Sequence, residues 1–211
     1  MPTLKESFIS ALQHHESSFG LSLTQDKRAA LSIFYERVQV WNKRLHLVAP
    51  CPPEEFAVRH VLESLCLLDY LPKDARFADI GTGAGLPSLP CLIVRDDLHA
   101  TLIESSAKKT IFLREICAEL NLQSRAIIFN LRFEQMPAPE MGFVACRALD
   151  KFVEKLPEIV AWAKDAEKML FFGGQSVRAE LARQNLEFDE KLIPDSEQRF
   201  IFAVKNNVRQ L

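Results

Sequence analysis

Residues 76–86, Arg-Phe-Ala-Asp-Ile-Gly-Thr-Gly-Ala-Gly-Leu, constrain the fold more than any other stretch of the chain. They begin as a short apolar run and end where Gly81, Gly83 and Gly85 alternate with small residues. Backbone without Cβ atoms turns sharply and lets a ligand approach closely. A glycine turn between a strand and a helix is the ligand-binding edge of an open α/β sheet. Three alternating glycines are costly to order, so a turn that binds nothing is the weaker reading.

Downstream of Arg76, short apolar runs alternate with helical stretches. The strand candidates are Phe77–Ile80, Ala100–Ile103, Ala126–Phe129, Phe143–Cys146, Met169–Phe172, Phe188–Ile193 and Phe200–Val204. Helices are expected at about Pro87–Val94, Ser106–Leu120, Lys151–Lys164 and Gln175–Gln184. Such alternation predicts a mostly parallel sheet covered on both faces. Only the turn around Pro194–Gln198 separates the last two strands, which predicts a closing antiparallel hairpin.

Upstream the pattern is helical. Thr3 and Glu6 fit a capping box ahead of Leu4, Phe8, Ile9 and Leu12. A second helix is expected from about Thr24 to Asn42, where Leu31, Phe34, Tyr35, Val38 and Trp41 recur at helical period. After Pro50, Pro52 and Pro53, a third should run to about Leu71 with Val58, Val61, Leu62, Leu65 and Leu68 as its apolar stripe. The expected organisation is an N-terminal helical extension, 1–72, packed on a core of 73–211 as one structural unit.

Composition sets the function classes. The chain has 211 residues, 48% of them apolar, with a net charge of −2. That balance suits a globular domain and leaves nucleic-acid binding to a local basic face. The five cysteines, Cys51, Cys66, Cys91, Cys117 and Cys146, form no C-x-x-C pair. That argues against a disulfide framework or a zinc site, and no metal is expected. With no signal-peptide core and no run near 18 apolar residues, the expectation is a reduced, cytoplasmic protein.

The glycine spacing selects the ligand. Dinucleotide folds place a third glycine five residues after the first, and here Leu86 holds that place. Asp79, ahead of the loop, suits a ligand with a cationic part. The pattern D-x-G-x-G-x-G is that of S-adenosylmethionine-dependent methyltransferases. Glu104 follows the second strand, 23 residues after Gly81, near the spacing at which an acid meets a ribose.

The chain resembles the bacterial small-subunit rRNA guanine-N7 methyltransferase family, also known as glucose-inhibited division protein B, over roughly residues 30–205. The matching segments are Trp41-Asn42-Lys43, Val58-Arg59-His60 with Ser64, Asp79 to Pro87, Lys108 and Lys109 with Phe112-Leu113-Arg114, Arg132-Phe133-Glu134, and Arg147-Ala148. The resemblance implies a class I, Rossmann-like methyltransferase with a seven-stranded, mostly parallel sheet. It implies methyl transfer from S-adenosylmethionine to N7 of a guanine in 16S rRNA. By it, Gly81 and Leu86 contact the cofactor, Glu104 holds its ribose, Phe133 and Glu134 flank the adenine and Arg147 lines the site. Asp79, Gly83 and Gly85 complete the cofactor set. The partner is 16S rRNA or the 30S particle, and the protein a monomer. Departures from the family pattern fall on the substrate side, at His46-Leu47-Val48 and at Gly173.

Methylation of guanine N7 uses a free lone pair, so alignment replaces acid–base chemistry and no general base is nominated. His60 reads as structural or RNA-contacting, and His14, His15 and His99 as surface residues. Cys91 lies in the helix after the glycine loop and Cys146 has no adjacent proline or acid, which disfavours a cysteine-nucleophile mechanism. Cys146-Arg147-Ala148 does not fit an amino-group methyltransferase loop. Phosphate contacts are expected from Arg37, Lys43, Arg44 and Arg59, and from Lys108, Lys109 and Arg114. Arg147 could instead form a structural ion pair with Glu134 or Asp79. The rival readings are a small-molecule methyltransferase and a non-catalytic binding module.

Overall fold

The computed structural model describes residues 2–138 and 142–205; positions 206–211 of the expected core lie outside them. Seven strands form one sheet: β1 (Arg76–Ile80), β2 (His99–Ile103), β3 (Ala126–Phe129), β4 (Phe143–Arg147), β5 (Lys168–Gly173), β6 (Phe188–Leu192) and β7 (Phe200–Lys205). Their order is β3-β2-β1-β4-β5-β7-β6. The first five are parallel, and β7 runs antiparallel between β5 and β6. The hairpin and the parallel core expected from the alternation are both present. β1 sits between β2 and β4, apolar clusters cover both its faces, and Phe77 through Ile80 are all buried. A central parallel strand of this kind reads as an unbroken apolar run. Asp79 is the one polar residue inside that run.

Helices α1 (Leu4–His15) and α2 (Gln25–Leu45) precede the sheet. The α1 cap is the expected box: the Glu6 amide donates to Thr3 Oγ1 at 3.2 Å and the Thr3 amide to Glu6 Oε2 at 2.7 Å. Thr24 caps α2, which runs three residues past the expected Asn42 and stops at His46 in a left-handed conformation (φ 47°).

The third helix corrects the expectation of one continuous α-helix to Leu71. Residues 53–70 form a short α-turn (Pro53–Glu55), a π-helix (Phe56–Leu62), another α-turn (Glu63–Leu65) and a 3₁₀ turn (Cys66–Tyr70). The i→i+5 winding of a π-helix brings residues five apart toward one side. Phe56 with Val61, and Ala57 with Leu62, are such pairs, and all four are fully buried. Phe56 closes an aromatic cluster: its ring centroid lies 5.0 Å from Tyr35, 6.1 Å from Phe8 and 6.3 Å from Phe34.

Helices α3 (Ser88–Val94), α4 (Ala107–Glu119), α5 (Phe152–Trp162) and α6 (Gln175–Arg183) cover the sheet. One apolar cluster joins α1, α2 and the 53–70 run to α3, α4 and one sheet face. A second cluster packs α5 and α6 on the other face. Cys66, Cys91, Cys117 and Cys146 are buried free thiols. His99 differs from its surface expectation: it opens β2 half-buried, with Nδ1 enclosed and without a partner among the described residues.

Candidate functional site

In an open α/β sheet, ligands sit beyond the carboxyl ends of the strands where strand order reverses. Here that point lies between β1 and β4, and a cleft of about 1230 Å³ opens there. Its floor is the turn after β1, with Gly81, Thr82, Gly83, Ala84 and Leu86 in the wall.

The three glycines do different work. Gly81 (φ 67°) lies under the loop that follows β4, where an added Cβ would collide with Leu149 Cδ1. Gly83 (φ 55°) faces open space: a Cβ there would meet nothing nearer than the Gly81 carbonyl oxygen at 3.7 Å. Gly85 is buried outside the cleft lining, against Leu89 of α3. Its lack of a side chain serves helix packing.

Asp79 also lies outside the lining, fully buried beneath the turn. Its Oδ2 accepts hydrogen bonds from Thr82 Oγ1 (2.7 Å) and Ser88 Oγ (2.6 Å), while Oδ1 has no partner among the described residues. It therefore pins the start of the glycine turn to the start of α3. Burial raises its pKa to about 7, against the pull of the Ser88 and Thr82 hydrogen bonds. A native pKa above the unfolded value of about 3.9 contributes stability that is complete below about pH 4 and lost as pH rises through about 7. His60 acts in the opposite sense. Burial, then Arg147 and Arg59, lower it to about 4, so its contribution disappears as pH falls. The difference between wild type and Asp79→Asn isolates the acid. Urea unfolding should show wild type losing stability relative to the variant between pH 4 and pH 7. A difference that stays flat with pH would mean Asp79 titrates normally.

Glu104, at the end of β2, does line the cleft although it is almost wholly buried. Oε2 accepts from the Gly83 amide (3.0 Å) and Oε1 from the Ser106 amide (2.7 Å). A carboxylate offers about four lone-pair directions; two are used in aiming it and two remain. Asn130 ties the end of β3 to this loop through the Glu104 and Ser105 carbonyls, at 3.1 and 3.0 Å.

Opposite stands Arg147, at the end of β4. Nη1 donates to Ser64 Oγ (3.0 Å), and Nη2 donates to the Arg59 carbonyl and to Glu63 Oε2 (3.2 Å). Its guanidinium also lies 5.4 Å over the Phe172 ring. The ion pair is thus with Glu63, which corrects the alternatives Glu134 and Asp79. Glu63 also pairs with Arg199, whose Nε lies 2.8 Å from Oε1. Glu63 and Arg199 both line the cleft and were missed by sequence reasoning. The available signal was an acid inside an apolar helical stripe, between Leu62 and Leu65, which demands a cationic partner.

The other expected residues divide. Arg59, His60 and Lys109 line the cleft. Lys43, Arg44, Lys108 and Arg114 are exposed, with no ion pair among the described residues. Arg37 lies elsewhere, paired with Glu119 across α2 and α4, and Arg59 pairs with Glu55. Phe133 and Glu134 lie outside the lining. Phe133 is buried edge-on to Trp162, with ring centroids 5.8 Å apart, and Glu134 is exposed 3.7 Å from Lys155. His46, Leu47, Val48 and Gly173 all line the cleft. Asn42 holds the first of these segments by two bonds to the Val48 backbone, at 2.9 and 3.0 Å. Gly173 is tight against α6, since a Cβ would collide with Val177 Cγ2. Among the described residues no three His, Cys, Asp or Glu side chains cluster to hold a metal ion, and no helix is long and apolar enough to cross a membrane.

Solved structures share this fold at low identity. A protein in the NADB-Rossmann superfamily from Streptococcus agalactiae matches with TM-score 0.56 and 18% identity, covering 71% of this chain and 69% of its own. A ribosomal protein L11 methylase from Lactobacillus delbrueckii subsp. bulgaricus matches with TM-score 0.55 and 13% identity, covering 70% and 78%. Sequence relatives are closer. Proteins named ribosomal RNA small subunit methyltransferase G from Salmonella agona and Salmonella typhimurium are each 34% identical over 199 residues, 89% of this chain and 93% of theirs. The sequence pattern of the family described as rRNA small subunit methyltransferase G matches residues 27–210. The chain belongs to that family.

Proposed function

We propose that this protein transfers a methyl group from S-adenosylmethionine to N7 of a guanine in small-subunit (16S) rRNA. The observation that carries the cofactor half is Glu104, whose carboxylate is aimed into the cleft by the Gly83 and Ser106 amides with lone pairs to spare. The fit is good: a buried acid suited to the two hydroxyls of a ribose faces a glycine turn with free space above Gly83. Glu104, Gly81, Gly83 and Leu86 would hold the cofactor, which supplies an electrophilic methyl group when bound. Asp79 and Gly85 support them from below. Phe133 and Glu134 keep no assigned contact on this geometry. Family membership supports the rRNA half.

The chain's own contribution is alignment. Arg147 and Arg199 present guanidinium groups on the wall facing the glycine turn. His60, lowered to about 4 by burial, is neutral at pH 7, and attack by the free N7 lone pair asks no proton transfer of it. Lys109 in the cleft lining and the exposed Lys43, Arg44, Lys108 and Arg114 supply phosphate contacts. Arg37 and Arg59 are already paired with protein acids and count for less. The protein acts in the cytoplasm as a monomer, on 16S rRNA or the 30S particle.

The test is incubation with labelled S-adenosylmethionine and rRNA or 30S particles from cells lacking the protein, followed by mapping of the labelled base. Label on guanine N7 is expected, and rRNA affinity should fall steeply with salt; a small-molecule methyltransferase gives neither result. Glu104→Ala should weaken cofactor binding by about 1.5–3 kcal/mol, the scale of charge-assisted hydrogen bonds. Unchanged affinity by calorimetry would remove the ribose assignment.

A further inference from the structure

Glu63 is buried at 1% exposure in the helical run before the sheet, yet both its oxygens point at cations on other elements. Oε2 takes Arg147 from the end of β4, and Oε1 takes Arg199 from the residue before β7. The two arginines belong to strands on either side of β5, and no other described acid pairs with either one. One carboxylate against two guanidinium groups leaves an excess positive charge in a wall where Arg147 is only 14% exposed. Arg199, which lines the cleft, is 37% exposed, so the surplus charge lies where an anion entering from solvent can meet it. Each guanidinium has five N–H donors, and both keep some that no acceptor among the described residues uses.

We propose that Glu63 is a positioning residue for methyl transfer: it holds Arg147 and Arg199 side by side, so that their remaining donors grip an anionic oxygen group in the cleft. That group is a phosphodiester of the target RNA; the carboxylate of the cofactor has the same chemistry, and the test separates them. The inference rests on the methyl-transfer reading of this cleft. It goes beyond that reading in giving the work to a residue that acts through two others. The preceding π-helix contributes to the same arrangement, since the Arg59 carbonyl on it accepts from Arg147. Glu63 thereby couples the N-terminal helices to the geometry of the substrate wall.

The test compares wild type, Glu63→Gln, Arg147→Ala and the double variant, using 30S particles or rRNA as substrate. Misplacement of aligned groups costs about 100-fold in rate, so Glu63→Gln should lower kcat about 10–100-fold. Its calorimetric Kd for S-adenosylmethionine should stay within about twofold, because Glu63 would make no direct hydrogen bond to the cofactor and affinity falls chiefly when such a partner is lost. In the Arg147→Ala background the same substitution should cost much less, because a residue that acts through another is non-additive with it. Glu63→Asp, which keeps the charge, should recover part of the lost turnover. Wild-type kcat in Glu63→Gln, or losses that multiply independently in the double variant, would overturn the positioning role. A cofactor Kd that rises in step with the loss of kcat would overturn the phosphodiester in favour of the cofactor carboxylate. If Glu63→Gln does not fold, Arg199→Ala decides: lowered kcat with unchanged cofactor Kd supports the role, and wild-type kcat overturns it. Absence of turnover in the wild-type protein rejects the methyl-transfer reading and this inference together. Wild-type turnover with an unaffected Gln variant rejects this inference alone.

Discussion

Gly85→Ala should destabilise the protein more than either Gly81→Ala or Gly83→Ala. All three glycines have positive φ, so each substitution carries left-handed strain of about 1–2 kcal/mol. At Gly83 little else is added, because the nearest atom to a Cβ is 3.7 Å away. At Gly81 the obstacle is the tip of Leu149, a half-buried side chain that can turn aside. At Gly85 the Cβ would sit 2.5 Å from Leu89 Cγ and 3.3 Å from Leu113 Cδ2, and both leucines are fully buried. Overpacking of a filled core costs a further ~1–3 kcal/mol, for a total of about 2–5 kcal/mol. Urea midpoints give the ranking. Cofactor affinity should rank differently, with Gly83 more sensitive than its stability cost implies, because its Cβ would enter the open space of the cleft. Equal midpoints for Gly83→Ala and Gly85→Ala would contradict the division of roles.

Phe56→Ala should cost about 3–5 kcal/mol, the range for deleting a buried aromatic ring. The ring joins α1, α2 and the π-helix, and lies 5.0 Å from His60 at the edge of the cleft. The apolar cluster containing Phe56 continues into α3, α4 and the sheet, so the helical extension should not melt by itself. Far-UV and near-UV signals should move together in one transition shifted to lower denaturant. Two separated transitions would show that residues 1–72 unfold as an independent unit.

Most strands were legible as short apolar runs, whereas β6, with Asp189, Glu190 and Lys191 inside it, was legible because no helix separates Phe188–Leu192 from Phe200–Lys205. The π-helix was not legible. The stripe Val58, Val61, Leu62, Leu65 fits an α-helix, and only the packing of Phe56 and Ala57 across from α1 and α2 selects the wider winding. In the site, Glu104 and Arg147 were readable from position, since strand ends in this topology converge. Asp79 was readable as important but not as buried; alternation within β1 turns it inward toward Thr82 and Ser88. Glu63 carried a signal but its partners were out of reach, because its contacts with Arg147 and Arg199 span 84 and 136 residues of sequence. Arg37 and Glu119 are likewise 82 apart, so sequence could not tell a paired cation from one free to meet a phosphate.

The antiparallel sense of β7 decides where Arg199 ends up. Phe200 pairs with Gly173, the last residue of β5, so β7 begins at the edge where the parallel strands finish. Were β7 parallel to β5, its six residues, at about 3.3 Å each, would carry Arg199 roughly 20 Å away, to the far side of the sheet. The strand reversal therefore delivers a side chain from late in the sequence into a cleft built otherwise from the turns that close earlier strands. A chain whose hairpin has not yet zipped up would lack Arg199 beside Glu63 and keep only the Arg147 half of that pairing. Competence to bind cofactor and competence to grip substrate should accordingly be acquired at different stages of folding.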